Sequence, residues 1–249
     1  INLAASLSIM GQNNLVIDLD PQGNATTGFG KSNSDEEKNI YNLLIKKINI
    51  EETIQKTEIK NLDLIGSHVN LSGLEVETAN DSNRAFVLKQ ILSAEKSELL
   101  SNYDNIFIDC PPSLGLITIN CLSASDSIII PIQCEYFALE GLGQLLNTIK
   151  IVRQHLNPSL DIEGVALTMY DTRTRLSNQV AEEVKRYFDD RVFKTVIARN
   201  VRLAEAPSFG KPALLYDSTS MGAKNYLALA SEIIKRNRKL FKNSPLLTK

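Results

Sequence analysis

Residues 14–24 read NLVIDLDPQGN, and this stretch decides the fold. The apolar run LVIDLD at 15–20 ends in acids and predicts a buried strand. A second run, NIFIDCPPS at 105–113, has the same form and ends in Asp109 before a Pro-Pro turn. Short apolar strands that alternate with helical segments are typical of a doubly wound parallel sheet. We therefore expect an α/β fold in three layers, with helices on both faces of a mostly parallel sheet.

The remaining segments fit this alternation. Further strands are predicted at 62–67, 127–132, 164–170 and 192–198, and helices at 1–10, 40–48, 83–101, 117–122, 138–155, 176–188 and 222–241. Because no Pro-, Gly- or Ser-rich linker divides the chain, we expect a single domain over residues 1–240, followed by a tail at 241–249.

The first predicted helix begins at Ile1, without a strand ahead of it. In a doubly wound fold a strand and a βα loop precede such a helix, and in nucleotide-binding members that loop cradles phosphate. We expect that this first strand and its phosphate loop, roughly 15–20 residues, are missing from the sequence as given.

Composition excludes several classes of protein. The 249 residues are 43% hydrophobic and 22% charged, which is ordinary for a globular protein and unlike a collagen-like, disordered or disulfide-scaffold chain. Three cysteines without a CxxC pair and only two histidines do not predict a zinc cluster, so reduced, mostly buried thiols are expected. We find no apolar run of the ~18 residues that a transmembrane helix needs.

The net charge of −2 hides a split between the two parts of the chain. Residues 1–152 hold 10 basic and 19 acidic side chains, whereas residues 153–249 hold 17 basic and 10 acidic ones. A basic second part indicates either polyanion binding or solvated helix faces, and the count alone does not choose between them.

Three acids stand where ligand sites of open α/β sheets lie, at the carboxyl ends of strands. Asp18 and Asp20 are two residues apart, so on a strand both carboxylates would point to one pocket and could position a water molecule or a metal-bound water. Asp109 ends a Walker-B-like strand, where a carboxylate reaches Mg²⁺ directly or through water. Solvated strand-end acids are the alternative for each.

The segment ATTGFGKS at 25–32 matches a relaxed phosphate-loop pattern, but we reject it. A phosphate loop runs directly from a strand into a helix, whereas a polar loop intervenes here and acids follow.

Basic residues cluster in two later segments. The segment KTVIARNVRLAEAPSFGKP at 194–212 and the segment YDTRTRLSN at 170–178 both carry arginines. They read either as ordinary surface loops or as contacts to nucleic-acid phosphates, with Asn200 against a base.

Five strings together carry a family resemblance: IDLDPQGNATTGFG (17–30), FIDCPPSLGLITINCL (107–122), IPIQCEYFALEGLGQLL (130–146), LTMYDTRT (167–174) and ARNVRLAEAPSFGKP (198–212). The chain resembles the ParA/Soj family of chromosome- and plasmid-partitioning ATPases, a branch of the deviant-Walker, MinD-like P-loop ATPases, from residue 1 to about residue 235. The resemblance implies a single α/β domain that binds ATP and Mg²⁺ and forms a homodimer with ATP. It further implies a cytoplasmic, nucleoid-associated protein that binds DNA without sequence preference, lacks stable membrane association and hydrolyses ATP when a ParB/Spo0J-type partner stimulates it.

The resemblance also assigns roles to the three acids. Asp20 matches the catalytic acid that positions the attacking water. Asp18 supports the metal shell on the cofactor side, and Asp109 matches the Walker B acid that holds Mg²⁺ through water.

In the second part of the chain, the resemblance places Asn200 in the base-recognition loop and assigns it to cofactor binding together with Ala198, which stands where the family usually has a proline. Arg173 and Arg202 match the residues that hold DNA across the dimer.

One departure from the family leaves alternatives open. The deviant Walker A loop is expected directly ahead of Ile1, so the chain as given is expected to lack ATPase activity. The alternatives are a MinD-like membrane-cycling ATPase, which would dock through the basic end KRNRKLFKNSPLLTK at 235–249, and a non-catalytic DNA-binding remnant.

Overall fold

The computed structural model describes residues 1–94, 99–135 and 140–242 of the chain. Its helices and strands follow in the order α1 (Asn2–Ile9), β1 (Asn14–Asp18), α2 (Asn24–Gly28), α3 (Ile40–Leu44), α4 (Ile50–Thr53), β2 (Ile54–Lys56), β3 (Leu62–Ile65), α5 (Leu74–Glu77), α6 (Val87–Ala94), β4 (Asn105–Asp109), α7 (Leu116–Ala124), β5 (Ser127–Gln133), α8 (Glu140–His155), β6 (Asp161–Thr168), α9 (Arg175–Phe188), α10 (Val201–Glu205), α11 (Ala213–Tyr216) and α12 (Met221–Lys242).

The strands form two sheets. In the first, with the order β2-β3-β1-β4, β1 runs parallel to both β3 and β4, and β2 is antiparallel to β3. In the second, β5 and β6 pair in parallel. The predicted α/β fold with a mostly parallel sheet is confirmed, although the described strands divide into a four-stranded and a two-stranded part.

Alternate side chains of the strands pack on opposite faces, as expected for buried parallel strands. Leu15 and Ile17 pack with apolar residues of α3 and α6, whereas Val16 packs on the other side with Ala4 and Ala5 of α1. Strands β5 and β6 alternate in the same way, with α8 and α9 on one side and α12 on the other. The predicted three layers are therefore present.

Two helices join the two sheets. In α1, Leu3 packs in the core of the second sheet beside Ile129, while the alanines that follow it pack against β1 of the first. In α7, Cys121 belongs to the core of the first sheet and its neighbour Leu122 to that of the second. Helices α1 and α7 thus fix the two sheets to each other, and with them the carboxyl ends of β1, β4, β5 and β6.

The strand predicted at 192–198 was wrong. Only two isolated parallel bridges form there, from Val192 to Val165 and from Ala198 to Tyr170. Between them Glu232 of α12 accepts the main-chain N–H groups of residues 194 and 195 at 2.8 and 2.9 Å. A side chain that replaces a neighbouring strand as the acceptor interrupts the ladder.

Other boundaries differ from the prediction. The helix expected over 40–48 is an α-helix only at Ile40–Leu44, and the one expected over 83–101 only at Val87–Ala94. Parts of the predicted helices at 83–101 and 138–155, and most of the tail at 241–249, lie outside the described residues. Short elements were missed where none was predicted, namely α2, α4, β2, α5, α10 and α11.

Two expectations from composition concern cysteines and membranes. All three cysteines are free thiols, and Cys121 and Cys134 are buried, whereas Cys110 is exposed after the end of β4. Among the described residues, none of the helices combines the length and the apolar character needed to cross a membrane.

Gly164 tests the packing of the second sheet. A Cβ at this position would lie 2.5 Å from Cζ of Phe193, which is fully buried against β6. We expect Gly164→Ala to lower the free energy of unfolding by about 1–3 kcal/mol, because the ring must move out of a packed core. Urea denaturation measures this change.

The matched control is Gly143→Ala on α8, where a Cβ would meet nothing within 4 Å. This substitution should raise stability by about 0.5–1 kcal/mol, since alanine is the better helix former. Equal effects of the two substitutions would contradict the packing described for Phe193.

Candidate functional site

Strands β1 and β4 place two acids side by side. Asp18 and Asp109 are the last residues of their strands and stand opposite each other in the parallel register. The next main-chain group continues the pairing, because the N–H of Leu19 donates to the carbonyl oxygen of Asp109 at 2.8 Å. The carboxyl edge of the sheet therefore presents two adjacent carboxylates.

Asp18 is completely buried, and its carboxylate accepts three hydrogen bonds. The main-chain N–H and the hydroxyl of Thr26 both donate to Oδ2 at 2.7 Å, and the main-chain N–H of Asp20 donates to Oδ1 at 3.1 Å. Burial raises the pKa of Asp18; the hydrogen bonds from Thr26 oppose this shift and the charge of Asp109 adds to it. Asp18 thus anchors the turn that follows β1.

Asp20 lies two residues beyond the end of β1, in that turn. Its carbonyl oxygen accepts the N–H of Gly23 at 2.8 Å and the hydroxyl of Ser67, and its Oδ1 accepts the N–H of Gln22 at 3.0 Å. The strand alternation expected to aim both carboxylates into one pocket does not extend to Asp20. Its half-exposed carboxylate instead projects from a turn whose main chain is fixed.

The carboxylate of Asp109 remains accessible to a ligand. Its side chain has solvent-exposed surface, and within the described part of the chain its carboxylate accepts no hydrogen bond. It is nevertheless surrounded by protein atoms, and this desolvation raises the pKa of Asp109; the positive charge at the N-terminus of Ile1 opposes the shift and the charge of Asp20 adds to it. An unpaired carboxylate in such surroundings favours the approach of a cation.

The donor chemistry fits Mg²⁺ at Asp109. Carboxylate oxygens are ligands that Mg²⁺ prefers, usually one or two of them beside water and phosphate oxygens. Asp18, already engaged by three donors, fits only as a support. Among residues 1–94, 99–135 and 140–242 no group of three or more His, Cys, Asp and Glu side chains could hold a metal, so an ion there would need ligands from water and phosphate.

The basic segment at 194–212 contacts the chain just after α2, the helix that bonds to Asp18. Gly30, just after α2, touches Gly210, and a Cβ on Gly210 would lie 2.7 Å from Cα of Gly30. Both glycines have positive φ angles, +73° and +63°. Ala213 ties this segment to α1, because its N–H donates to Oδ1 of Asn2 at 2.8 Å.

Asn200 caps α10, with Oδ1 accepting the N–H of Arg202 at 3.0 Å. Its NH₂ group makes no hydrogen bond to any described residue and remains available to a base. The N–H of Ala198 donates to Oδ1 of Asn225 at 3.1 Å, so the chain ahead of Asn200 is fixed to α12.

Both predicted DNA-binding arginines are exposed, and both are held by acids. Arg173 donates through Nε and Nη2 to Asp171 at 2.9 and 2.7 Å. These bonds lower the pKa of Asp171 to about 2. Arg202 contacts Glu205 at 2.8 Å and Asp217 at 3.3 Å.

The two arginines lie in different parts of the chain, which contact each other near Tyr170. Arg173 follows β6 and Arg202 lies in α10. Between them the N–H of Arg199 donates to the carbonyl oxygen of Tyr170 at 3.0 Å, next to the bridge from Tyr170 to Ala198.

Known proteins resemble this chain over most of its length. A family model described as an AAA domain matches residues 1–162. The sporulation initiation inhibitor protein Soj of Bacillus subtilis is 54% identical over 94% of this chain and 90% of that protein. The chromosome partitioning protein ParA of Myxococcus xanthus is 49% identical over 95% of this chain and 82% of that protein. The chain belongs to the Soj/ParA family.

A solved structure gives the same fold for this Soj/ParA protein. The crystal structure of cobyrinic acid a,c-diamide synthase from Mycobacterium smegmatis, with bound ADP and magnesium, superposes with a TM-score of 0.81 at 30% identity, over 95% of this chain and 87% of that one. The P-loop NTPase-like class of fold, predicted from the resemblance, is thus confirmed.

Sequence reasoning on this Soj/ParA chain missed Thr26 and Ser67. Thr26 lies within the segment rejected as a phosphate loop, and the structure places it in α2, against Asp18. Ser67 follows β3 and contacts the turn of Asp20 from 47 residues away. No local pattern in the sequence indicates either contact.

The substitution Asp109→Asn tests how the charge of this acid affects the stability of the protein. Its raised pKa means that the folded protein keeps a proton at pH values where the unfolded chain has lost it, so ionisation of Asp109 lowers stability as pH rises. We expect Asp109→Asn to raise the denaturation midpoint modestly at pH 7. The gain should vanish at a pH below the ordinary range of a carboxyl group, where both states of the parent are protonated.

The control is Asp190→Asn, which replaces an exposed acid far along the chain in the turn after α9. It should leave the midpoint nearly unchanged at every pH. A gain from Asp109→Asn that persists undiminished in acid would contradict the electrostatic cause.

Proposed function

We propose that this protein is a DNA-partitioning ATPase of the chromosome or plasmid type, active in the cytoplasm on the nucleoid without stable membrane association. The observation that carries the proposal is the acid cluster of Asp18, Asp20 and Asp109 at one sheet edge, in a chain 54% identical to Soj. In this proposal ATP and Mg²⁺ bind at that edge and drive homodimerisation. The dimer binds DNA without sequence preference, and a ParB/Spo0J-type protein stimulates hydrolysis.

Each acid has a separate task in this proposal. Asp20 positions the attacking water, since its carboxylate is partly exposed while its main chain is held. Asp109 holds Mg²⁺ through water, and Asp18 supports both by anchoring the turn. Phosphoryl transfer depends on positioning and charge neutralisation rather than covalent chemistry, and Mg²⁺ supplies that neutralisation when bound. In this proposal the phosphates are held by the loop that the resemblance places ahead of Ile1.

The basic segments supply the DNA contacts in the same proposal. Arg173 and Arg202 are exposed and can exchange their acid partners for phosphates. Asn200, whose NH₂ group has no hydrogen-bond partner among the described residues, instead serves the cofactor together with Ala198, by binding the base of ATP. Phosphate contacts carry no sequence information, which fits binding without sequence preference.

Asp20→Ala tests the catalytic assignment in the protein that carries the expected phosphate loop. Removing the water-positioning carboxylate should lower ATP turnover by about 10²-fold or more while nucleotide binding persists. The ATP-bound dimer should then accumulate on DNA, as measured by light scattering and DNA co-sedimentation. Asp190→Ala is the control and should turn over normally. Normal turnover by Asp20→Ala would overturn the assignment.

Asp171→Asn tests the DNA contact. Asparagine keeps an oxygen for the main-chain N–H of Arg173 but removes the charge that competes with DNA phosphates. We expect severalfold tighter binding to every duplex, whereas Arg173→Glu should weaken binding to all sequences and reduce the salt slope by about 1. Fluorescence anisotropy over a salt series, with two unrelated duplexes, measures both.

The matched control for this test is Asp161→Asn. It breaks a comparable exposed pair, Asp161 with Arg191 at 2.8 Å, and should leave DNA binding unchanged. An effect of Arg173→Glu on one duplex only, or weaker binding by Asp171→Asn, would contradict the proposed contact.

A further inference from the structure

Two buried hydroxyl groups connect the turn of Asp20 to two neighbouring strands. Thr26, in α2, and Ser67, just after β3, are both almost inaccessible to solvent. The hydroxyl of Thr26 donates to Oδ2 of Asp18 at 2.7 Å and accepts the N–H of Ser67 at 2.8 Å. The hydroxyl of Ser67 in turn donates to the carbonyl oxygen of Asp20. The ends of β1 and β3 are thereby joined through side chains.

These bonds hold Asp20 by its main chain on both sides. Its N–H is taken by Oδ1 of Asp18 at 3.1 Å, and its carbonyl oxygen by the hydroxyl of Ser67 and the N–H of Gly23. The carboxylate itself has only the N–H of Gln22 as a described hydrogen-bond partner, at 3.0 Å. The peptide flanking the carboxylate is therefore fixed, while the carboxylate stays available.

The contact between α2 and β3 depends on close approach. A Cβ at Gly66 would lie 3.3 Å from Cγ2 of Thr26, so the glycine leaves just enough room for the threonine. Without the hydroxyl of Thr26, Asp18 would lose one of its three donors, and the N–H of Ser67 would lose its acceptor. One threonine thus sets the distance between the acid pair and the serine that holds Asp20.

We propose that Thr26 and Ser67 are positioning residues for ATP hydrolysis, which set the place of the Asp20 carboxylate without touching the substrate. The inference rests on the proposed function, because it gives Asp20 the task of positioning water. A displacement of about 1 Å in such a group can cost up to 10²-fold in rate. Ser67 is the sharper test of the two, since its loss leaves the carbonyl oxygen of Asp20 one other donor, from Gly23.

The experiment measures ATP turnover, nucleotide affinity and ATP-dimer accumulation for Ser67→Ala, Asp20→Ala and the double variant, in the protein with its phosphate loop. We expect Ser67→Ala to lower kcat about tenfold, to leave nucleotide affinity and Tm near the parent values, and to accumulate ATP-bound dimer on DNA. In the Asp20→Ala background the same substitution should cost nothing further, because the two residues act as one unit.

Two controls separate positioning from general stability. Ser8 is a buried serine at the opposite edge of the sheet whose hydroxyl also donates to a distant main-chain carbonyl, that of Asn61 at 3.0 Å. Ser8→Ala should leave kcat unchanged. Thr26→Ser keeps the hydroxyl and should retain near-parent kcat, whereas Thr26→Val, which has no hydroxyl, should lower it.

Each contrary outcome has a distinct meaning. An unchanged kcat in Ser67→Ala, or a loss of dimer in place of its accumulation, would overturn the positioning role. An equal loss of kcat in the parent and Asp20→Ala backgrounds would assign Ser67 to general structure and also overturn it. Normal turnover in Asp20→Ala would instead remove the proposed function itself.

Discussion

The hydrogen bonding of the buried Asp18 carboxylate is the constraint on which the site depends. A carboxylate without partners in a protein interior costs several kcal/mol, so this position requires donors. All three donors come from the segment that directly follows β1, two from Thr26 and one from Asp20. The chain must therefore turn back over the end of its own strand. That turn carries Asp20, and its shape follows from satisfying one buried charge.

The neighbouring strand places a second acid, for which the described part of the chain provides no such donors. Asp109 stands opposite Asp18 in the strand register, and its negative charge contributes to raising the pKa of Asp18. One acid of the pair is thus used to build the turn, and the other is left to meet a ligand. Carboxyl groups with raised pKa values are typical of functional sites. A bound cation offsets the unfavourable desolvation and the repulsion between their negative charges. The difference between the two acids comes from Thr26 of α2, whose main-chain N–H and hydroxyl both donate to Asp18.

Local patterns in the sequence predicted the elements that place the acids, but not the contacts that tune them. The apolar runs before Asp18 and Asp109 were sufficient for β1 and β4, because buried parallel strands are continuous hydrophobic segments. The segment at 192–198, VFKTVIA, is also mostly apolar, but Glu232 accepts the N–H groups of residues 194 and 195 from 37 residues or more away. Contacts of such sequence separation, like that of Ser67 with Asp20, follow from tertiary packing and leave no periodicity to read.

Fewer basic side chains in the second part of the chain are available to an anion than the count of charges implies. Arg173 and Arg202 both have acid partners, so a phosphate must replace a carboxylate rather than meet a bare cation. Exposed ion pairs contribute little to stability, and this exchange is therefore readily reversed and sensitive to salt. The segment of Arg202 also touches the far end of α2 through Gly30 and Gly210. Since α2 is the helix that holds Asp18, one short element carries both the anchor of the acid turn and the support of the basic segment.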